Sequence, residues 1–273
     1  MKPMQEGEIK AIELAILDAV ADFCDAHGLR YYLAYGTLIG ALRHKGFIPW
    51  DDDIDIQMPR EDYNRLIASF DRECASPHLK LIAPTDPLSR HAYVKIIDTR
   101  TVKIERDFDY RRGPLGVDID IFPLDGQPDA EPEFERWYAK LQKLYWRYHF
   151  NNFSPKGSLK RRLGVPFMKL VFNKKRIQRQ TERLHARYPY EHSCFVGAVE
   201  SCHNSKGNRA PRALFEESVW VEFEGRRFKA PAGYDAILKN IYGSYMELPP
   251  EEKRVTHHTG ECYWKEGICD EKI

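Results

Sequence analysis

Two short segments in which aspartates alternate with isoleucines constrain the fold of this chain more than any other feature. They are residues 51–56 (DDDIDI) and residues 117–121 (VDIDI). Because successive side chains of a β-strand point to opposite faces, this alternation predicts two strands that bury isoleucines on one face and present carboxylates on the other. The chain therefore needs a sheet with one packed face and one acidic face.

The remaining periodicities place these strands in an α+β chain. Apolar spacing predicts helices over residues 6–27, 38–44, 59–70, 134–148 and 234–242. Strands are predicted over residues 30–35, 52–58, 92–98, 101–106 and 116–124, and a hairpin over 218–223 and 227–229 around Glu224-Gly225. Thr37 is the expected N-cap of the second helix, and Pro59 the expected first residue of the third. We expect a mixed β-sheet flanked by helices.

Composition indicates a globular protein and predicts a cytoplasmic location. Of the 273 residues, 42% are hydrophobic and 30% are charged, which excludes a disordered chain. No segment approaches the roughly 20 apolar residues of a membrane span, and residues 1–10 lack the apolar centre of a secretory signal. The cysteines show no close CxxC pair, so reduced thiols are expected. They are Cys24, Cys74, Cys194, Cys202, Cys262 and Cys269.

The carboxylates of the two acidic strands indicate a metal site. Asp53 and Asp55 project from one side of the first strand, and Asp120 comes from the second. Without a cation these carboxylates would repel one another and lose solvation, and oxygen ligands suit Mg²⁺ or Mn²⁺. Asp51 is a further candidate ligand. A solvated acidic turn is the alternative.

Residues before and between the acidic strands could bind phosphate. Gly36 and Thr37 lie at the start of a predicted helix, where backbone N–H groups, a hydroxyl and the helix dipole favour a phosphate. An ordinary helix N-cap would look the same. Arg43 and Lys95 are candidate cations for a substrate pyrophosphate. Lys95 is the stronger candidate because it lies in a strand between apolar residues.

Taken together, these motifs strongly resemble the LicD family of phosphocholine transferases. That family is also similar, more remotely, to the ribitol-phosphate transferases fukutin and fukutin-related protein. Within the C-terminal motif, residues 242–250, Ser244 stands where the family pattern would have an aspartate. The resemblance rests on Gly36-Thr37, Arg43-His44, residues 46–55 (GFIPWDDDID), residues 119–126 (IDIFPLDG), residues 231–235 (PAGYD) and residues 242–250 (YGSYMELPP).

The resemblance implies a nucleotidyltransferase fold of the DNA polymerase β type with an additional helical segment. It assigns Gly36 and Thr37 to phosphates, Asp53 and Asp55 to a metal ion, and Asp120 to the metal or to the role of base. It further implies residues 1–128 as the catalytic core. Residues 129–273 would be a helical and small β region that completes the donor and acceptor sites.

The activity implied by the family is transfer of phosphocholine from CDP-choline to a sugar hydroxyl, with release of CMP. The acceptor would be a glycan or lipid-linked oligosaccharide of the teichoic acid or lipopolysaccharide type. Trp50, beside the acids, could offer an aromatic face to the choline ammonium or could simply shape the turn. Transfer of ribitol phosphate or glycerol phosphate, and nucleotidyl transfer to a small acceptor, stay open. The intact acids argue against a non-catalytic scaffold.

Charge and metal-binding residues near the C-terminal half raise two further questions. Residues 156–187 hold eleven Lys or Arg and one acid, Glu182, a net +10, so the rest of the chain, with +1 overall, carries −9. Apolar residues interleave with these cations, which suits an anionic membrane face or a lipid-linked pyrophosphate, although a solvated helix is the alternative. The acidic remainder argues against nucleic acid. The residues His257, His258, Cys262 and Cys269 lack a recognised zinc spacing.

Overall fold

Helices and strands are interspersed along the chain, which confirms the predicted α+β class. The computed structural model describes residues 1–104, 113, 115–150, 159–199, 206, 208–254 and 260–266. The helices are α1 (Glu6–His27), α2 (Tyr35–Arg43), α3 (Arg60–Glu73), α4 (Glu131–Phe150), α5 (Leu159–Val171), α6 (Lys174–His185) and α7 (Tyr234–Tyr242). The strands are β1 (Lys2–Pro3), β2 (Tyr32–Leu33), β3 (Asp55–Pro59), β4 (Leu79–Ile82), β5 (Val94–Asp98), β6 (Thr101–Ile104), β7 (Asp118–Gln127), β8 (Phe195–Gly197), β9 (Ala210–Pro211), β10 (Ser218–Phe223), β11 (Arg226–Pro231) and β12 (Glu261–Trp264).

A mixed sheet brings the two acidic segments side by side. Its strand order is β2-β3-β7-β5-β4, and β8 and β9 continue from the far end of β7. β3 and β7 run parallel, whereas β5 is antiparallel to both β7 and β4. The register places Asp55 opposite Asp120 and Ile56 opposite Ile121. The predicted mixed sheet is therefore confirmed, and its register aligns the acids.

The isoleucines of the acidic strands form the centre of the main core. Ile54, Ile56, Ile119 and Ile121 are buried together with residues of α1 and α3, such as Ile16 and Leu66. α1 begins after Gln5, whose side chain and Glu8 form a capping box, and it ends at Gly28 with a φ of 61°. No helix in the described ranges has the length and apolar character of a membrane span.

Two smaller sheets complete the fold. β1, β12 and β6 form one of them, and β10 pairs with β11 as the predicted hairpin. At its turn Glu224 and Gly225 have φ values of 51° and 72°, the positive values required at both central residues of a type I′ turn. Phe223 and Phe228 on the hairpin are buried in the main core. The hairpin prediction is confirmed.

Three predicted boundaries were wrong for local reasons. α2 begins at Tyr35, so Ala34 rather than Thr37 is its N-cap. Pro59 is the N-cap residue of α3 rather than its first residue. The first acidic strand begins only at Asp55, because the N–H of Asp51 donates to the carbonyl of Ile48 and the chain is still turning there.

Gly40 permits close contact between α2 and the turn that follows it. A Cβ at this position would lie 2.4 Å from the carbonyl oxygen of Gly46, a backbone atom. We expect Gly40→Ala to lower the free energy of unfolding by about 1–3 kcal/mol in urea denaturation. Gly7→Ala on α1 is the control, because a Cβ there meets nothing within 4 Å. Equal stability of the two variants would contradict the prediction.

Candidate active site

Asp55 and Asp120 are neighbours on the parallel strands β3 and β7. Adjacent strands lie about 4.8 Å apart, and residues in register point to the same face. Burial raises the pKa of Asp55 well above its usual value, and the negative charges of Asp53, Asp120 and Asp51 raise it further. These four carboxylates therefore form one electrostatic cluster, although Asp51 and Asp53 precede the strand.

Lys95 supplies positive charge to this cluster. It lies opposite Asp120 in the antiparallel register of β5 and β7, and its Nζ donates to Asp118 Oδ2 and Asp120 Oδ1. Lys95 is only 7% exposed, and a buried lysine keeps its charge when it is paired in this way. Burial raises the pKa of Asp120 to about 6 against the opposing effect of Lys95. The pairing explains why a lysine occupies this apolar strand.

Asp118 is held as a carboxylate by two lysines. Its Oδ1 lies 3.0 Å from the Nζ of Lys103, and its Oδ2 accepts from Lys95. Burial alone would raise the pKa of Asp118, but the two ammonium groups outweigh it and hold that pKa below its usual range. The site therefore contains charges of both signs in a buried setting.

The first turn of α2 is fastened directly to the acidic segment. Thr37 Oγ1 accepts the backbone N–H of Asp55 at 2.8 Å. A Cβ on Gly36 would lie 2.3 Å from Asp51 Oδ2, so this carboxylate approaches the glycine backbone closely. Tyr35 has a φ of 46°, an uncommon value for a residue with a side chain and one that concentrates at functional sites. Gly36 and Thr37 are thus placed beside the acids.

The close approach of Asp51 to Gly36 leads to a prediction about activity. We expect Gly36→Ala to displace the Asp51 carboxylate and to lower the catalytic rate by roughly 100-fold, since displacements near 1 Å at a site can have that effect. Gly7→Ala again serves as the control, and steady-state kinetics is the measurement. An unchanged rate for Gly36→Ala would show that the contact between Asp51 and Gly36 has no catalytic importance.

The chemistry of these side chains fits a hard divalent cation. Asp51, Asp53, Asp55 and Asp120 offer oxygen atoms only, and a cation would relieve the repulsion that raises the pKa of Asp55. Across the ranges that the structure describes, no three His, Cys, Asp or Glu side chains are already arranged to hold a metal ion. Oδ1 of Asp120 accepts a hydrogen bond from Lys95 instead. Metal binding by these acids stays a prediction.

Arg43 and Trp50 both contact the C-terminal part of the chain. The Nη1 of Arg43 donates to the carbonyl oxygens of Tyr245 at 2.8 Å and Glu247 at 3.0 Å. The guanidinium of Arg254 lies 5.5 Å from the ring centroid of Trp50. These contacts give both residues a role in joining α2 and the acidic segment to the C-terminal motif. Their proposed contacts with phosphate and choline stay predictions.

Tyr242 lies near the acids and was not among the predicted site residues. It is the last residue of α7 and is 40% exposed. Its pKa is raised by partial loss of hydration and by the negative charges of Asp55, Asp51 and Asp53. Its position at the start of the C-terminal motif was the available signal. A phenol beside these carboxylates could donate a hydrogen bond to a substrate oxygen.

Glu13 is a second nearby residue that sequence reasoning missed. It lies on α1, is 1% exposed, and its Oε2 has no hydrogen-bond partner within the described ranges. Burial raises the pKa of Glu13, Lys103 opposes this, and Asp118 and Asp53 add to it. A glutamate among the apolar residues of a buried helix face is unusual, and that position was the available signal.

A separate cavity of about 580 Å³ lies between α3, α4 and α6. Asp125 lines it and stands five residues after Asp120 on β7, so its side chain points to the opposite face of that strand. Arg60 donates to both carboxylate oxygens of Asp125, at 2.6 and 2.5 Å, and His185 Nδ1 lies 3.0 Å from Oδ2. Tyr145 Oη lies 2.8 Å from the other ring nitrogen of His185. This network was not predicted from the sequence.

Four of the six cysteines lie within the described ranges. The cysteines Cys24, Cys74, Cys194 and Cys262 are free thiols. Burial raises the pKa of Cys262 to about 11, which disfavours the thiolate that zinc binding needs. The remaining candidates for a zinc site, His257, His258 and Cys269, lie outside the described residues, as does Cys202.

Comparison with known proteins extends the motif resemblance to nearly the whole chain. Residues 28–152 match the family model described as LicD/FKTN/FKRP, nucleotidyltransferase domain. Over 272 residues, 96% of this chain and 99% of the relative, the chain is 34% identical to the lipopolysaccharide cholinephosphotransferase LicD of Haemophilus influenzae. Over 43 residues it is 46% identical to the ribitol 5-phosphate transferase FKRP of Homo sapiens and Mus musculus, 16% of this chain and 9% of each relative.

Proposed function

Because this chain belongs to the LicD family of transferases, we propose that it moves phosphocholine from CDP-choline to a sugar hydroxyl. The acceptor is a cell-surface glycan precursor of the lipopolysaccharide or teichoic acid type, and CMP is released. The observation that carries this proposal is the 34% identity, over nearly the full length of both chains, with a lipopolysaccharide cholinephosphotransferase. We also propose that the protein acts in the cytoplasm. Its acceptor is a free or lipid-linked glycan, and it does not bind nucleic acid.

We propose further that the catalytic sheet has the polymerase β type of nucleotidyltransferase fold. The order of elements supports this: a helix start with Gly36-Thr37, then a strand bearing Asp55, then a neighbouring strand bearing Asp120. The matched family model is itself described as a nucleotidyltransferase domain. A solved structure of the chain with a bound nucleotide would test the assignment.

In the proposed site, Asp53, Asp55 and Asp120 hold Mg²⁺ or Mn²⁺, with Asp51 as an additional ligand. Such an ion supplies charge neutralisation for the phosphates of the donor and for the leaving CMP. Gly36 and Thr37 present the N-terminal end of α2 to those phosphates. The contact of Thr37 with the Asp55 backbone supports this placement, because it keeps helix and acids in register.

The proposed step is an in-line displacement at the phosphorus that bears choline. The acceptor hydroxyl oxygen forms a bond to this phosphorus while the bond to the bridging oxygen of CMP breaks. The hydroxyl proton passes to the carboxylate of Asp120, and the products are a phosphocholine diester and CMP. Lys95 fixes the orientation of Asp120, because its Nζ contacts this carboxylate from the adjacent strand.

Two further residues are proposed to recognise the donor. Trp50, beside the acids, would contact the choline ammonium, which is recognised by aromatic faces. Arg43 lies on α2, the helix whose first turn is proposed to face the phosphates, and would add positive charge there. Its hydrogen bonds to Tyr245 and Glu247 would then couple phosphate binding to the C-terminal motif.

The donor proposal is tested by incubating the protein with Mg²⁺, a lipopolysaccharide or teichoic acid precursor and one donor at a time. CDP-choline is expected to give CMP and an acceptor whose mass increases by one phosphocholine. CDP-ribitol and CDP-glycerol are the matched donors, and the local similarity to a ribitol 5-phosphate transferase makes them the second candidates. CTP tests nucleotidyl transfer through release of pyrophosphate. Pyrophosphate as the product, or no CMP from any donor, would overturn the proposal.

A further inference from the structure

The outer face of α5 carries a stripe of large apolar side chains in contact with solvent. Leu163, Phe167 and Val171 are 68%, 64% and 56% exposed. They are spaced at i, i+4 and i+8, so they lie along one side of the helix over about 12 Å. Val165 on the same helix is buried, which orients the stripe away from the protein body. We name these three exposed residues the α5 stripe.

Trp146 extends the α5 stripe onto the neighbouring helix. It lies on α4, is 58% exposed, and its ring centroid is 6.2 Å from that of Phe172, the residue after α5. The apolar surface thus crosses from one helix to the next. Neighbouring exposed apolar side chains that form a continuous patch are typical of interaction sites.

A groove lined by cations lies between α4 and α6. Its volume is about 320 Å³, and none of the described residues that line it is acidic. We name it the cationic groove; its charged lining residues are Lys140, Lys143, Arg147, Arg183 and Arg187. Five cations gathered in one groove create a local potential that attracts phosphate groups.

Arg147 connects the cationic groove to the apolar surface. It lines the groove, it follows Trp146 in sequence, and its guanidinium lies 5.3 Å from the ring centroid of Phe172. Apolar groups and cations are therefore presented next to each other on the same side of the helical region. Interfacial protein segments have this combination: apolar side chains enter the acyl boundary while Lys and Arg contact anionic headgroups.

From this juxtaposition we propose that the α5 stripe and the cationic groove form a docking surface for a bilayer that contains anionic phospholipid. The stripe and Trp146 insert at the acyl boundary, and the groove receives headgroup phosphates. Charge complementarity selects this occupant. A second copy of the chain would bring one cationic groove towards another, and a nucleic acid would leave the apolar stripe in water.

The experiment is vesicle flotation of the full-length protein at low and high salt. Wild type is expected to float with vesicles of phosphatidylcholine and phosphatidylglycerol, and at least tenfold less with phosphatidylcholine alone. The triple variant Leu163→Ser, Phe167→Ser, Val171→Ser should lose at least tenfold in binding. Phe167→Ser alone should give a partial loss of vesicle binding. This single variant tests the stripe even if the triple variant does not fold. A groove variant, Lys140→Gln with Arg183→Gln, should lose the preference for anionic vesicles.

Trp220→Ser is the matched control, since Trp220 is 49% exposed but lies on the β10–β11 hairpin. It should bind vesicles as the wild type does, and circular dichroism should show that all variants are folded. Equal flotation of the folded stripe variants and wild type, or no flotation of wild type, would overturn the proposal. So would a stripe variant that converts a wild-type dimer to a monomer in light scattering, or binding of an RNA oligonucleotide that competes fully with vesicles.

Discussion

Asp55→Asn is expected to lower the rate of phosphocholine transfer by about 1000-fold, equivalent to ~4 kcal/mol in activation free energy. Asparagine keeps the size of the side chain but removes the charge proposed to hold the metal ion beside the donor phosphates. The same substitution should leave the fold intact and raise the free energy of unfolding slightly. The physical reason is that Asp55 is half-buried and close to the charges of Asp51, Asp53 and Asp120, so its own charge is unfavourable without a cation.

The two opposite effects separate a catalytic role for Asp55 from a structural one. Asp53→Asn should behave similarly, because Asp53 is assigned to the same ion. Asp52→Asn is the matched control: it removes the same charge from the same acidic segment, at a residue that is not assigned as a ligand. Release of CMP and urea denaturation are the two measurements. A near-wild-type rate in Asp55→Asn would refute the assignment, as would an equal loss in Asp52→Asn.

Arg60→Met is expected to lower the free energy of unfolding at neutral pH by about 3–5 kcal/mol. Arg60 donates two hydrogen bonds to Asp125, which is 2% exposed, and methionine would leave that carboxylate buried without this partner. Arg65→Met is the control on the same helix, because the Arg65 side chain is 59% exposed and 3.5 Å from Asp62. Arg65→Met should lower the free energy of unfolding by less than about 1 kcal/mol.

Acid should reduce the effect of Arg60→Met. Burial would raise the pKa of Asp125, but Arg60 and His185 outweigh burial and hold it below its ordinary value of 3.8 in the folded wild type. The pair therefore stabilises the wild type above pH 3.8, and this contribution is lost as the pH falls below that value. Without Arg60 the pKa of Asp125 should rise, so that Asp125 becomes protonated at mildly acidic pH and the variant is destabilised less. A stability difference that stays constant from pH 7 to pH 3.5 would contradict this interpretation.

The elements that could be predicted from the sequence are those in which polar and apolar side chains alternate or repeat regularly. The alternation of Asp and Ile identified both acidic strands, and the Glu-Gly turn identified the hairpin. β4 was missed, because Leu79–Ile82 is four residues long and its strand character depends on pairing with β5. β8 was missed for the same reason, since Phe195–Gly197 becomes a strand by pairing with the far end of β7. Short strands depend on partners that are distant in sequence.

The site shows the same division between local and distant information. The proximity of Asp55 and Asp120 follows from placing two acidic strands in one sheet, and their register bears this out. The bonds from Lys95 to Asp118 and Asp120 could not be read from sequence, because they require the antiparallel alignment of β5 with β7. Thr37 was expected to cap a helix, but α2 begins three residues earlier and the Thr37 hydroxyl accepts the backbone N–H of Asp55. Pairing partners, unlike periodicity, are set by the tertiary fold.

The small sheet β1-β12-β6 has a consequence for how the chain matures. β12 lies between β1 and β6 and pairs with both, so residues 261–264 join residues 2–3 to residues 101–104. During synthesis the β6 edge that pairs with β12 must wait, unpaired, until residues 261–264 have left the ribosome. Unpaired edges are open to wrong partners, including other nascent chains. The growing polypeptide is therefore expected to need chaperones even after the residues of its catalytic sheet have been synthesised.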